Sequence, residues 1–239
     1  LWFGWYGFNP GSTLSAMDAA GCGRVAANTT LAACAGGLSA MFWLYPRKNV
    51  FDCGITVNGF LAGLVAITCP CYWVSPTGAV ILGAVAGVVC VYGVDLLEWL
   101  RIDDPVGAWP VHGACGIWGT LSLGLLACGK YGSPGPTGAD DSSPVTGLFY
   151  GGGTQLLVAQ IIGSASITAA TFGVSMVMFY LVKLTGTLRV SREGELQGLD
   201  LHEHGGSAYP ELIGAGSAAA PSAAPEARQP MAAVASPAE

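Results

Sequence analysis

The residues most able to do chemistry lie in one run, Asp103-Asp104-Pro105-Val106-Gly107-Ala108-Trp109-Pro110-Val111-His112-Gly113-Ala114-Cys115-Gly116-Ile117-Trp118-Gly119. It places His112, the one histidine outside the C-terminal tail, in an apolar, glycine-rich segment. Imidazole changes its charge near neutral pH, so it can take up, give or relay a proton. In a soluble core such a residue reads as a satisfied structural histidine. Inside a membrane helix an ionisable group is costly and marks a substrate or proton pathway. Gly113, Gly116 and Gly119 fall on or near the face of His112, because residues three and four apart are neighbours on a helix. Glycines there let other helices approach closely.

The element carrying that face must then cross a bilayer, and composition agrees. The chain is 52% hydrophobic and only 10% charged over 239 residues, with a mean hydropathy of +0.53. Soluble domains carry about a quarter charged residues. The expected class is an all-α polytopic membrane protein. The net charge of −6 is spread over loops and tail and forms no basic patch, so no nucleic-acid partner is expected. Cys34, Cys90, Cys115 and Cys128 sit in or beside apolar runs, where they act as small hydrophobes. Cys69-Pro70-Cys71 lies in a loop where a bridge is conceivable.

Residues 1–8 read as an aromatic helix end, broken by Asn9-Pro10-Gly11-Ser12. Further spans are expected over 25–45, 53–68, 78–100, 109–128 and 151–184, with Gly59-x-x-x-Gly63 and Gly83-x-x-x-Gly87 as close-packing signals. Asp104 is an expected helix N-cap. Arg47, Lys48, Arg101, Lys183, Arg189 and Arg192 fall on one side, Arg24 and Lys130 on the other, which makes the first side, and the tail, cytoplasmic. Residues 1–184 are expected to form the membrane domain, 185–209 a cytoplasmic regulatory tail, and 210–239, rich in Ala, Pro and Ser, a disordered tail. The chain opens on Leu1-Trp2-Phe3-Gly4-Trp5 without a charged leader or cleavage site. It is read as starting within a helix, as the C-terminal part of a longer protein.

The aromatic cluster Trp2, Phe3, Trp5, Tyr6 and Phe8 stands beside the hydroxyl of Ser12. Two readings stay open from residues alone. One is an interfacial aromatic belt. The other is a recruitment site, where ring faces attract a small cation and the Ser12 oxygen accepts its hydrogen bond. His202 and His204 read as solvated tail residues rather than metal ligands. No nucleophile–base pair, phosphate loop or metal-ligand cluster is recognisable, so neither an enzyme, a metal nor a cofactor is expected.

Gly4-Trp5-Tyr6-Gly7-Phe8-Asn9-Pro10-Gly11-Ser12, Asn28-Thr29-Thr30-Leu31-Ala32-Ala33, Asn58-Gly59-Phe60-Leu61-Ala62-Gly63-Leu64-Val65-Ala66-Ile67-Thr68, Asp103-Asp104-Pro105 with Val111-His112-Gly113, and Gly198-Leu199-Asp200 with His204-Gly205 together resemble the ammonium transporter (Amt/Mep/Rh) family, its Amt branch above all. The resemblance runs from residue 1 to about 209. It implies an eleven-helix fold of two inverted halves, of which this chain would hold the end of helix six through helix eleven. It also implies a homotrimer, or a hetero-trimer with related transporters, in the plasma membrane. Phe8 resembles one of two stacked phenylalanines at the outer mouth, and Trp5 a pore-lining tryptophan one turn earlier. Ser12 resembles the hydroxyl of the outer ammonium site, and His112 the second of a mid-pore histidine pair. The other phenylalanine and the first histidine belong to the first half of the family fold. The family tail motif resembles Gly-Met-Asp-x-Thr-x-His-Gly. Here His202 stands at the threonine, so the phosphorylation switch of that threonine does not carry over. The implied activity is transmembrane transport of ammonium or ammonia and nitrogen uptake, with two alternatives: an ammonium sensor, or a half-transporter acting through trimer assembly.

Overall fold

The computed structural model describes residues 1–14, 16–131 and 145–208, and among these the chain is helical apart from loops and two isolated bridges. The expected disorder of 210–239 lies outside the described residues. The helices are α1 (Trp2–Gly11), α2 (Ala19–Lys48), α3 (Cys53–Thr68), α4 (Pro76–Leu100), a π-helical turn (Trp109–Ala114) running into α5 (Cys115–Leu126), α6 (Gln155–Leu184), α7 (Arg192–Gln197) and α8 (Leu199–His204). A short 3-10 turn, Leu148–Tyr150, precedes α6. Helices α2, α4 and α6 are long and apolar enough to cross a membrane, and α3 is a shorter apolar helix.

Helices α2, α3 and α4 begin where the sequence supplies a cap. The Asp18 carboxylate accepts from Gly21 N at 2.8 Å, Asp52 from Ile55 N at 3.0 Å, and Ser75 Oγ from Gly78 N at 3.1 Å with Pro76 just behind it. These side chains satisfy amides that the first turn leaves without partners. Two ends differ from the sequence expectation. Asn9-Pro10 does not break α1, which continues to Gly11. A proline in the last turn removes a single donor, and Ser12 N still bonds Phe8 O at 3.0 Å. Helix α2 likewise carries Pro46 in its last turn and ends at Lys48, with Asn49 in the left-handed conformation. It also starts at Ala19, a turn and a half before the expected span.

The centre of the fold is α2 held against α3 and α4 by backbone-to-backbone contact. A Cβ on Gly63 or Gly83 would collide with the carbonyl oxygen of Ala32, and one on Gly36 or Gly87 with the carbonyl of Gly59 or Gly36. A Cβ on Gly59 would stand 2.5 Å from that of Ala40. Both glycine pairs singled out in the sequence are therefore contact points, and small residues at four-residue spacing let helix axes come together. Around them lies a core of small side chains, Ala32, Ala62, Ala66, Ala86 and Cys90, filled by Val25, Ile67 and Leu82. Buried Asn28 completes it by donating through Nδ2 to Cys71 O and Val74 O, both at 3.0 Å, which fastens the α3–α4 loop to α2. All eight cysteines are free thiols, including Cys69 and Cys71.

Contacts divide the chain into two units, Leu1–Val174 and Ser175–Glu239. In the second, the Ser191 hydroxyl caps α7 by accepting from Gly194 N at 3.1 Å, and Gly194 lies against the ring of His202 in α8.

Gly83→Ala should lower the thermal midpoint of the purified protein, because the added methyl meets backbone that cannot yield. Overpacking of this kind costs about 1–3 kcal/mol. Gly23→Ala, on an open face of α2 with nothing within 4 Å, should leave the midpoint unchanged or raise it.

Candidate functional site

The His112 segment is built by Asp104. Its carboxylate accepts from Ala108 N at 2.8 Å and Trp109 N at 2.9 Å, as the sequence predicts for a cap. Gly107 makes the turn with φ +70°, and Asn58 of α3 donates from Nδ2 to Val106 O at 3.0 Å, pinning the loop. The chain then winds as a π-helix instead of the expected α-helix: the Cys115 amide reaches back five residues to Pro110 O. Pro110 has no amide proton to join the ladder, and its ring packs on Gly93 of α4, where a Cβ would stand 2.9 Å away. A π-turn inside an α-helix often accompanies a functional site. From Cys115 onward α5 is regular, with Gly119 against the backbone of Ala66, Cys115 Sγ donating to Ala86 O and Trp118 Nε1 donating to Leu82 O at 3.0 Å.

Trp5, Phe8, Val65, Thr68, Cys69, His112, Gly116 and Thr120 line one cavity of about 340 Å³. Three of the four residues singled out in the sequence, Trp5, Phe8 and His112, therefore meet, brought from α1 and from the π-turn. Ser12 does not line the cavity; it is exposed at the end of α1, where its hydroxyl donates to Phe8 O at 2.7 Å. With its proton committed, Ser12 Oγ presents lone pairs to the outside. The Trp5 and Phe8 rings lie 5.9 Å apart at 59°. His112 is exposed along the cavity side, and its imidazole makes no hydrogen bond or ion pair among the described residues.

Sequence reasoning missed Thr68 and Thr120. Thr68 closes a motif quoted for its resemblance, and Thr120 follows His112 by two helical steps. The available signals were a polar residue ending an apolar run at Thr68 and a hydroxyl inside an apolar helix, two turns after His112, at Thr120. Thr68 Oγ1 donates to Leu64 O at 2.8 Å and accepts the Trp5 Nε1–H at 2.9 Å. Thr120 Oγ1 donates to Ile117 O at 2.9 Å and is paired with Ser164 Oγ at 2.6 Å. None of the lining residues is an acid or a lysine or arginine. Among the described residues no cluster of His, Cys, Asp or Glu has the arrangement of a metal site.

A model of the Ammonium Transporter Family matches residues 1–209. The chain belongs to the ammonium transporter family. It is 46% identical over 213 residues to ammonium transporter Amt2 of Archaeoglobus fulgidus, covering 89% of this chain and 44% of that protein. Among solved structures, a sensor Amt protein superposes with a TM-score of 0.70 at 35% identity, covering 85% of this chain and 46% of the other. Mep2 of Saccharomyces cerevisiae superposes at 0.69 with 30% identity, covering 81% and 42%. The chain thus spans less than half the length of these relatives. Family membership, the apolar helices and the matching structures make it an integral membrane protein with the helical ammonium-transporter fold.

In this family member the loop bearing Ser12 is tied down at its far end. Tyr72 OH donates to Asp18 Oδ2, and Arg24 sits over the Tyr72 ring at 5.5 Å and the Tyr131 ring at 4.6 Å. The Tyr72 hydrogen bond, then the Gly21 amide, hold the Asp18 carboxyl below its ordinary value, and the same bond raises the Tyr72 phenol. Because Asp18 is lowered in the folded protein, its tie stabilises the loop above the unfolded carboxyl's pKa of about 3.9. The tie is lost as pH falls through the lower folded value. Tyr72→Phe should move the Asp18 titration upward toward the ordinary carboxylate range, read by carbon NMR of labelled aspartate.

Proposed function

We propose that residues 1–184 form one wall of a membrane pore that conducts ammonium, with residues 185–209 as a cytoplasmic regulatory tail. The observation that carries this is the meeting of Trp5, Phe8 and His112 around a single cavity without charged residues. Aromatic faces at Trp5 and Phe8 attract a small cation, and Ser12 Oγ, its own proton committed to Phe8 O, accepts one of that cation's hydrogen bonds. Deeper in, an apolar wall penalises charge, which lowers the pKa of an ammonium ion and favours ammonia plus a released proton. His112 is the group in the wall whose ring nitrogens can take up or pass on that proton. The substrate is ammonium or ammonia. Relatives that cover this chain carry names of ammonium transporters, which supports the same substrate here. The working assembly is a homotrimer, or a hetero-trimer with related transporters, in the plasma membrane. The excess of Lys and Arg on one side favours a cytoplasmic C-terminus.

Uptake of labelled methylammonium by yeast cells that lack their own ammonium uptake tests the reading. Expression of an intact version, with this chain joined to the first half of the family fold, should restore uptake, and the variants below are made in that version. His112→Ala should change its rate or its ammonium-over-methylammonium selectivity while leaving the oligomer intact on a sizing column. Unchanged uptake would return His112 to a structural role. Ser12→Ala should weaken apparent affinity by no more than one hydrogen bond to a charged group, about 1.5–3 kcal/mol. An unchanged affinity would reduce the aromatic cluster to an interfacial belt.

A further inference from the structure

The hydrogen-bond directions around the cavity are fixed by proton count. A threonine hydroxyl has one proton and two lone pairs, and an indole has one donor and no acceptor. Thr68 gives its proton to Leu64 O, and Thr120 gives its own to Ile117 O, each to a carbonyl of its own helix. Toward everything else both hydroxyls are therefore acceptors. The Trp5 N–H fills one lone pair of Thr68, and Ser164 supplies the proton between itself and Thr120. The indole N–H, the donor that would otherwise be free to meet a molecule in the cavity, is thus taken up inside the wall.

We propose that Thr68 is a positioning and specificity-determining residue: by accepting the Trp5 N–H it locks the indole ring against the cavity and removes the indole N–H, the strong donor of the Trp5–Thr68 part of the wall. What remains there is a π face, a spare threonine lone pair, apolar Val65 and the Cys69 thiol, a weak donor. Such a surface suits a species that carries only donors, an ammonium or primary alkylammonium ion. It is poor for water, which needs a donor as well as an acceptor, and poorer for anions. The specificity part of this proposal rests on the transport reading above; the positioning of Trp5 does not.

The test is Thr68→Val, nearly isosteric but without the acceptor, with Thr68→Ser as the conservative restoration. Two quantities are read on the whole protein. The first is the hydrogen-bond state of the Trp5 indole, from the nitrogen NMR shift of labelled tryptophan, assigned with Trp5→Phe. The second is methylammonium uptake beside osmotic water flux in vesicles. Thr68→Val should shift the indole signal to that of an unbonded N–H and raise the apparent KM by about 2- to 10-fold, the range for loss of one neutral hydrogen bond. Maximal rate should change less than KM, water flux should rise, and Thr68→Ser should restore all three. An indole signal unmoved in Thr68→Val overturns the positioning role. A moved signal with unaltered KM and water flux overturns the specificity role. Absence of uptake by the unaltered protein, with a moved indole signal, overturns the transport reading and the specificity role while the positioning of Trp5 stands.

Discussion

Everything in the unit Leu1–Val174 depends on how closely α2 approaches α3 and α4. Helices in lipid gain nothing from hiding apolar surface, since lipid is as apolar as leucine, so they associate through close packing and interhelical hydrogen bonds. The carbonyl of Ala32 faces Gly63 on one side and Gly83 on the other, and that of Gly36 faces Gly87. A side chain at any of these points would push an axis outward. Because α3 carries Val65 and Thr68, and α4 supports Pro110, a displacement at the centre would reach the cavity wall on both sides.

Buried polar groups add direction to that packing. Asn28, fully buried in α2, reaches the α3–α4 loop with two hydrogen bonds. Asn9 of α1 donates to Thr29 of the same α2 turn at 3.0 Å. Tyr6 OH pairs with Thr30 at 2.7 Å, and Thr30 in turn donates to Ala26 O. The motif Asn28-Thr29-Thr30 thus serves as a docking strip, and α1, short as it is, arrives in one register. Together with the Trp5 N–H bond to Thr68 of α3, it fixes the faces of Trp5 and Phe8 relative to His112.

Much of this was legible in the sequence, and the reasons differ by element. Apolar runs and capping residues such as Asp104 specify helices locally, so α3, α4 and the His112 segment fall where expected. The positions of Trp5, Phe8 and His112 follow from motif resemblance. Their meeting is a tertiary fact that no local pattern contains. The winding at Trp109–Ala114 was hidden because a π-turn and an α-turn draw on the same residue types; Pro110 was its one trace. Proline at 10 misled, since its effect depends on how much helix remains after it. Ser12, read in the sequence as an outer hydroxyl beside the aromatic cluster, is exposed at the end of α1 and does not line the cavity. The roles of Thr68 and Thr120 rest on where each hydroxyl proton goes, which depends on their helices and partners together.

The π-turn has a consequence for the line of residues that follows His112. In a regular α-helix each step of four residues advances by about 40° beyond a full circle. His112, Gly116 and Thr120 would then spiral across the surface by about 80°. A π-turn winds less per residue, so the first of these steps loses its forward drift. His112 and Gly116 come into near-vertical alignment, while Thr120, one regular α-step further on, stands about 40° round from them instead of about 80°. A molecule moving along these positions would meet imidazole, bare backbone and hydroxyl in succession with about half the turn about the helix axis that a regular helix would impose.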